Sequence, residues 1–342
     1  MKTITFDDQS ELLTYAKQNR NELVVVFGVY DEVKQAAPSL PSNVVAASTF
    51  SQTYGSEKKE TGFTGFTVER DICEVVPVAD PPILSRHDLK NAYDKVKNNR
   101  NAFMYLILDG LSGKEDMVMT SMYFMDRDFK MIGGSAGDLT NGEALIYYGT
   151  SRVHHLALFV NNRTRTVVAK ENIYRPMGKR VLVTDADPIL RTVYTLNEQS
   201  AADEYARVLG ISVRDLEKSF LSHPLGQTID GDLFINSPQK VNSDGSISFY
   251  SEIIPNTFID VLKLGNIDDI LEQTQQKFSF KPKTLLTVNC ILRDAYFMQA
   301  GKWPTIFNSL ARLNSNEAGF VSAGEQFKFE HVNQTMVLLG VE

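Results

Sequence analysis

Ser135 stands in the string Ile132-Gly133-Gly134-Ser135-Ala136-Gly137-Asp138, whose Gly-x-Ser-x-Gly spacing is that of a nucleophile elbow. That chemistry needs a sharp strand-to-helix turn presenting Ser Oγ, with His and an acid later in the chain. The residues after Asp138 read as turn and strand, so the context for a hydrolase using Ser135 is missing. A simpler reading is that Gly133, Gly134 and Gly137 let backbone approach backbone or a small ligand, leaving N–H groups for an anion. Cys290 and His331 invite a thiol-nucleophile reading, because a thiolate needs a neighbouring base at neutral pH. Cys290 lies in an apolar strand pattern, however, where a free cysteine behaves as a small hydrophobe. Arg293, read as closing that strand, suits bidentate recognition of a carboxylate, and an internal salt bridge fits it at least as well.

The five histidines, His87, His154, His155, His223 and His331, show no metal spacing, so a zinc site has no support. An axial haem ligand needs no motif, which leaves His331, His154 or His155 for that role. If adjacent His154 and His155 lie on a strand they point to opposite faces, so only one of them can face a pocket. Walker and dinucleotide glycine patterns are absent, and the methionines at 117, 119, 122 and 125 read as core fillers.

These residues need elements to hold them. Leu23–Phe27, Val44–Ala47, Phe103–Leu108 and Leu156–Val160 read as buried strands, and 285–291 as another. Helices are expected over 85–100, capped by Ser85, after Ser112, over 198–209 with Gly210 as its stop, over 212–221 and over 268–276. Turn pairs Asn141-Gly142 and Asn161-Asn162 imply hairpins. The fold class expected is therefore mixed α/β (α+β), with mixed or largely antiparallel sheets flanked by helices in two similar-sized packed halves. Ser-Ala-Gly followed by an acid occurs at 135–138 and again at 322–325, which suggests an internal duplication.

Composition narrows the classes. A formal charge of −7 argues against a nucleic-acid-binding face, and no apolar run reaches the length of a membrane span. Two cysteines 217 positions apart make no disulfide framework, and no signal peptide is visible, so a cytoplasmic protein without membrane insertion is expected.

Several motifs occur together in order: Asn43 to Thr49, Leu108-Asp109-Gly110, the 132–138 string, His223-Pro224-Leu225-Gly226 and Asn289 to Arg293. Ala323 to Phe327 and His331 to Thr335 follow. In these the chain resembles the FIST family of prokaryotic sensory proteins over nearly its whole length. It departs at Ala46-Ala47, where the family often has Gly-Cys, and at Leu196-Asn197-Glu198 in place of Leu-Asp-Gly. The resemblance implies an N-terminal domain over 1–174 and a C-terminal domain over 175–342. It also implies a stand-alone sensor that binds a small ligand, such as an amino acid, in a cleft between them. Signalling would pass through a partner such as a histidine kinase or a cyclic-dinucleotide enzyme. Some members bind haem and sense nitric oxide. Ligand-binding residues are expected at Ser48, Gly133, Gly134, Ser135, Gly137, Asp138, Cys290, Arg293, Gly324, Glu325 and Asn333. In that reading Arg293 holds an anionic end of the ligand and Glu325 an amine, and charge reversal at Arg293 abolishes binding without unfolding. No catalytic residue is expected, the hydrolase reading on Ser135 or Cys290 being the weaker alternative.

Overall fold

The computed structural model describes every residue of the chain except Ser56, Phe124, Asp230 and Phe329. Among the described residues the strands form four sheets, and three of them follow one plan. In the first, Glu22–Gly28 and Val44–Ser48 run parallel around helix Tyr30–Ala36. Their β-branched residues are buried throughout, as a strand covered on both faces demands. Phe63–Glu69 pairs antiparallel with Glu22–Gly28, and Lys2–Phe6 pairs with Phe63–Glu69. Beyond Val44–Ser48 lies Ile146–Tyr148, hairpinned to Ser151–Arg152.

The second sheet repeats this order. Phe103–Asp109 and Met131–Ala136 run parallel, with His155–Val160 and then Cys73–Val78 on one side. On the other side stand Glu325–Phe327 and Glu330–Val332. In the third, Thr284–Cys290 and Ala318–Ser322 are the parallel pair, flanked by Thr335–Val341 and Thr166–Asn172. Its outer hairpin is Gln52–Tyr54 with Glu57–Lys59.

The hairpins are exchanged. The one following Val44–Ser48 in sequence joins the third sheet, the one following Ala318–Ser322 joins the second, and the one following Met131–Ala136 joins the first. Three repeats, spanning 2–69, 73–160 and 166–341, thus donate strands around a closed ring. The expected duplication is a triplication. Ser48-Thr49-Phe50 holds the place of the two Ser-Ala-Gly strings, and its divergence hides the first repeat in the sequence. Phe27 stacks on Phe320 with ring centroids 3.8 Å apart and approaches Tyr105 at 6.4 Å, so all three repeats supply the shared interior.

The third repeat carries an insertion. Chain contacts divide the protein into two compact units, one of 1–171, 271–331 and 336–342, the other of 172–270 with 332–335. The chain rejoins the first unit from Leu271. The second unit holds the fourth sheet, centred on Tyr174–Asp187 and Thr257–Leu264, over its own core of Val181, Val193, Tyr205, Leu225 and Ile259. Gly210, at φ 77°, ends helix Ala201–Leu209 as expected. Tyr174 faces Leu264 and Gly265 N–H donates to Ile173 O at 2.7 Å, so the insertion leaves and returns side by side.

Three local expectations change. Ser85 Oγ accepts from Ala79 N–H at 2.8 Å instead of capping helix Arg86–Val96. The helix expected over 212–221 is a 3₁₀ turn, Val213–Asp215, and one short turn, Leu216–Ser219. Arg293 lies inside helix Ile291–Ala300, past the end of its strand, so its side chain packs inward instead of closing a strand. Among the described residues no helix is long and apolar enough to cross a membrane.

Candidate functional site

The second strands of the three parallel pairs carry equivalent serines at their ends, Ser48, Ser135 and Ser322, all with no exposed surface. Ser48 N–H donates to Leu145 O at 2.8 Å, and Leu145 N–H returns a bond to Ser48 Oγ at 3.0 Å. Ser135 N–H donates to Gly324 O at 2.9 Å and Ala323 N–H to Ser135 O at 3.0 Å. Val321 N–H donates to Ser51 O at 2.8 Å. The loops at 133–138 and 322–325 therefore do meet, but they meet by strand pairing inside the first unit, where no open cleft separates them. The glycines serve that approach. A Cβ on Gly134 would strike Val288 and Phe320, one on Gly133 would strike Leu106 O, and one on Gly137 would press on the Phe50 ring.

Around these strand ends runs a line of buried polar side chains. Ser322 Oγ shares its proton between Asn289 O at 3.2 Å and Glu325 Oε1 at 2.7 Å. Gln326 Nε2 donates to Ser135 Oγ at 2.9 Å, and His331 Nδ1 lies 3.5 Å from it. Arg293, fully buried, is ion-paired through Nη2 to Glu171 Oε1 and lies over the Phe297 ring at 4.7 Å. The cluster is under-satisfied: Asn289 Oδ1, Gln326 Oε1, Glu171 Oε2 and Arg293 Nε are buried without hydrogen-bond partners. Each such atom costs about 1–3 kcal/mol relative to a paired one.

The other expected residues divide. Glu325 and Gly324 belong to the cluster, and Cys290 is buried at the head of helix Ile291–Ala300. Asp138 is a turn cap, its Oδ1 accepting from Asn141 N–H at 2.6 Å. Asn333 belongs to the second unit, where its Oδ1 is buried without a partner. His154 is exposed in a bend just before the strand, and His155, the first residue of strand His155–Val160, is buried. Asp109 N–H donates to His155 Nδ1 at 3.0 Å, and burial pushes the imidazole down to about 4, so it stays neutral near pH 7. His155 begins a strand that lies between two partner strands and is 1% exposed. His331 is the histidine of the cluster, beside Gln326. Among the described residues no group of three His, Cys, Asp or Glu is placed to hold a metal.

For Ser135 the elbow geometry fails, because the chain passes through turns to strand Ile146–Tyr148 and its Oγ is bonded to an amide. Glu171 and Glu317 belong to no motif. The signal for Glu171 is a charged pair, Lys170-Glu171, inside the strand Thr166–Asn172. Glu317 Oε1 accepts from Thr53 at 2.9 Å and from Thr287, its Oε2 is unpartnered, and burial raises the carboxyl to about 7.

Comparison with known families places this architecture. The chain matches the FIST N domain over residues 22–199 and the FIST C domain over 201–328. The protein belongs to the FIST family, whose domains are sensory domains of signal transduction. No curated protein matches the chain. The boundary between the two matched segments falls within the inserted unit.

Proposed function

We propose that this protein is a sensory module that binds a small, amine-bearing metabolite, such as an amino acid, in the polar cluster of its first unit. The observation that carries the reading is the set of buried unpartnered atoms at Asn289, Gln326, Glu171 and Arg293. Three of them, at Asn289, Gln326 and Glu171, are acceptors, which an ammonium group satisfies. Glu325, accepting from Ser322 Oγ at 2.7 Å, adds a carboxyl group at the same place, while Arg293 is already committed to Glu171 and serves as a positioning residue. Ligand entry requires the strand ends to part, because the serines and Gln326 are fully enclosed. Binding therefore favours one arrangement of the donated hairpins over another, which a sensor needs in order to report occupancy. The signal passes to a protein partner such as a histidine kinase or a cyclic-dinucleotide enzyme.

A thermal-shift screen of the full chain against amino acids and small amines tests this. Stabilisation by one ligand class, lost in Gln326→Leu and Asn289→Leu proteins that remain folded, is the expected result. Equal shifts in wild type and both variants would place the ligand elsewhere.

A further inference from the structure

The geometry points to a docking groove on the second repeat for an acidic amphipathic helix of a partner protein. The groove, about 610 Å³, opens between helices Arg86–Val96 and Glu115–Tyr123 and is lined by Ile83, Leu89, Thr120 and Met125. Its surroundings are unusually apolar for this unit. Among the described residues of the first unit, the exposed large hydrophobic side chains Ile83, Leu84, Leu111, Met117, Tyr123 and Leu139 all lie in the second repeat, and Met298 alone lies outside it. Ile83 and Leu84 are 60% and 71% exposed, and Met117 52%. Exposed apolar side chains concentrated in one repeat beside a groove lined by Ile83, Leu89 and Met125 suit an interaction site, and methionine adapts to the partner that covers it.

Two observations select the occupant. First, the third repeat shows what this layer accepts. Between its parallel strands it places two helices, Ile291–Ala300 and Trp303–Leu313, where the second repeat has only Glu115–Tyr123 among the described residues. Helix Trp303–Leu313 buries Trp303, Ile306, Phe307, Leu310 and Leu313 along one face, and Gln275 of the neighbouring helix Ile267–Gln276 donates to Ser309 Oγ at 2.8 Å. The second repeat, like the first with Tyr30–Ala36, thus has one helix where the third has two, and an apolar stripe at i, i+3, i+4 and i+7, as on Trp303–Leu313, is the shape that fills such a groove. Second, the lining holds two cations, Arg86 and Lys90, on a chain whose formal charge is −7, and a neighbouring carboxylate is already engaged, Asp126 accepting from the Tyr93 hydroxyl at 2.7 Å. Arg86 has no ion pair among the described residues, while Lys90 pairs with Asp94 at 2.8 Å. Carboxylates flanking the apolar stripe of the partner complement that rim.

The test pans a displayed library of peptides of about 16 residues, four to five helical turns, on the full chain. Enriched peptides should carry apolar residues at helical spacing with Asp and Glu on the flanks. Their affinity should fall at least about tenfold for the Arg86→Glu/Lys90→Glu protein and for Thr120→Trp, both with unchanged circular dichroism. No enrichment, basic flanks, or affinity indifferent to both variants would overturn the proposal. A dimer of this chain that Thr120→Trp dissolves would assign the groove to a second copy, and binding of anionic lipid vesicles lost on charge reversal would assign it to a membrane; either result also overturns it. The ligand screen above does not touch this face, so the two readings fail separately.

Discussion

Arg293 and Glu171 show how a single residue type supports two readings until burial decides between them. The sequence presents an arginine near a strand end, equally suited to a ligand carboxylate and to an internal partner. The fold commits it to Glu171 with both side chains essentially unexposed. A buried pair deprived of one member leaves an uncompensated charge, at a cost of about 3–5 kcal/mol. Arg293→Met should therefore lower stability in urea by that amount, and adding Glu171→Leu should recover much of it. Charge reversal at Arg293, which would set two carboxylates together in the interior, is expected to unfold the first unit instead of merely blocking a ligand. Glu317 gives a second residue-level prediction. Its folded carboxyl, held near 7 by burial, binds its proton more tightly than the unfolded one at the ordinary value of 4.5. The stability this provides is complete below about pH 4.5 and is lost as pH rises through about 7, a difference of about 3 kcal/mol. Glu317→Gln should flatten that part of the stability profile; an unchanged profile would place the titration elsewhere.

At the scale of elements, the molecule depends on strands that sit far from the repeat that encodes them. Gln52–Tyr54 belongs in sequence to the first repeat and in space to the third sheet. Thr53→Pro removes a backbone N–H from that strand together with the hydroxyl that donates to Glu317. Amide-exchange protection should then fall in Ala318–Ser322 before it falls in Val44–Ser48, although Val44–Ser48 is much nearer in sequence. Gly134→Val tests the close approach: its side chain has no room beside Val288 and Phe320, and a loss of about 2 kcal/mol or more is expected. Most buried strands are legible in the sequence, because β-branched runs such as Leu23–Phe27 carry their own signal. The exchange is not, because strand partners are set by long-range pairing that periodicity does not encode. The two Ser-Ala-Gly strings reveal two of three repeats; Ser48-Thr49-Phe50 has the same backbone role with different side chains. Of the polar cluster, Ser135, Arg293 and Glu325 stand out by type. Glu171 does not: it precedes its partner Arg293 by 122 positions, and no motif connects the two.

At the scale of the whole molecule, the second unit is an insertion with its own core, entering and leaving the third repeat at Ile173 and Gly265. Adjacent ends of this kind let a segment be exchanged without disturbing its host. Replacing 174–264 by a short Gly/Ser linker should leave the three exchanged sheets folded, with cooperative unfolding and an unchanged near-ultraviolet signal from Trp303 in the first unit. Loss of cooperative unfolding would show that the insertion is needed for the ring to close. Under the proposed function, the buried polar side chains around Gln326 hold a small ligand. Native mass spectrometry of the purified full chain, compared with the Gln326→Leu protein, tests that most directly. The predicted result is a stoichiometric mass excess on the wild type that is released on denaturation and absent from the variant. Bare mass for both proteins after incubation with amino acids and amines, or the same adduct on both, would contradict it.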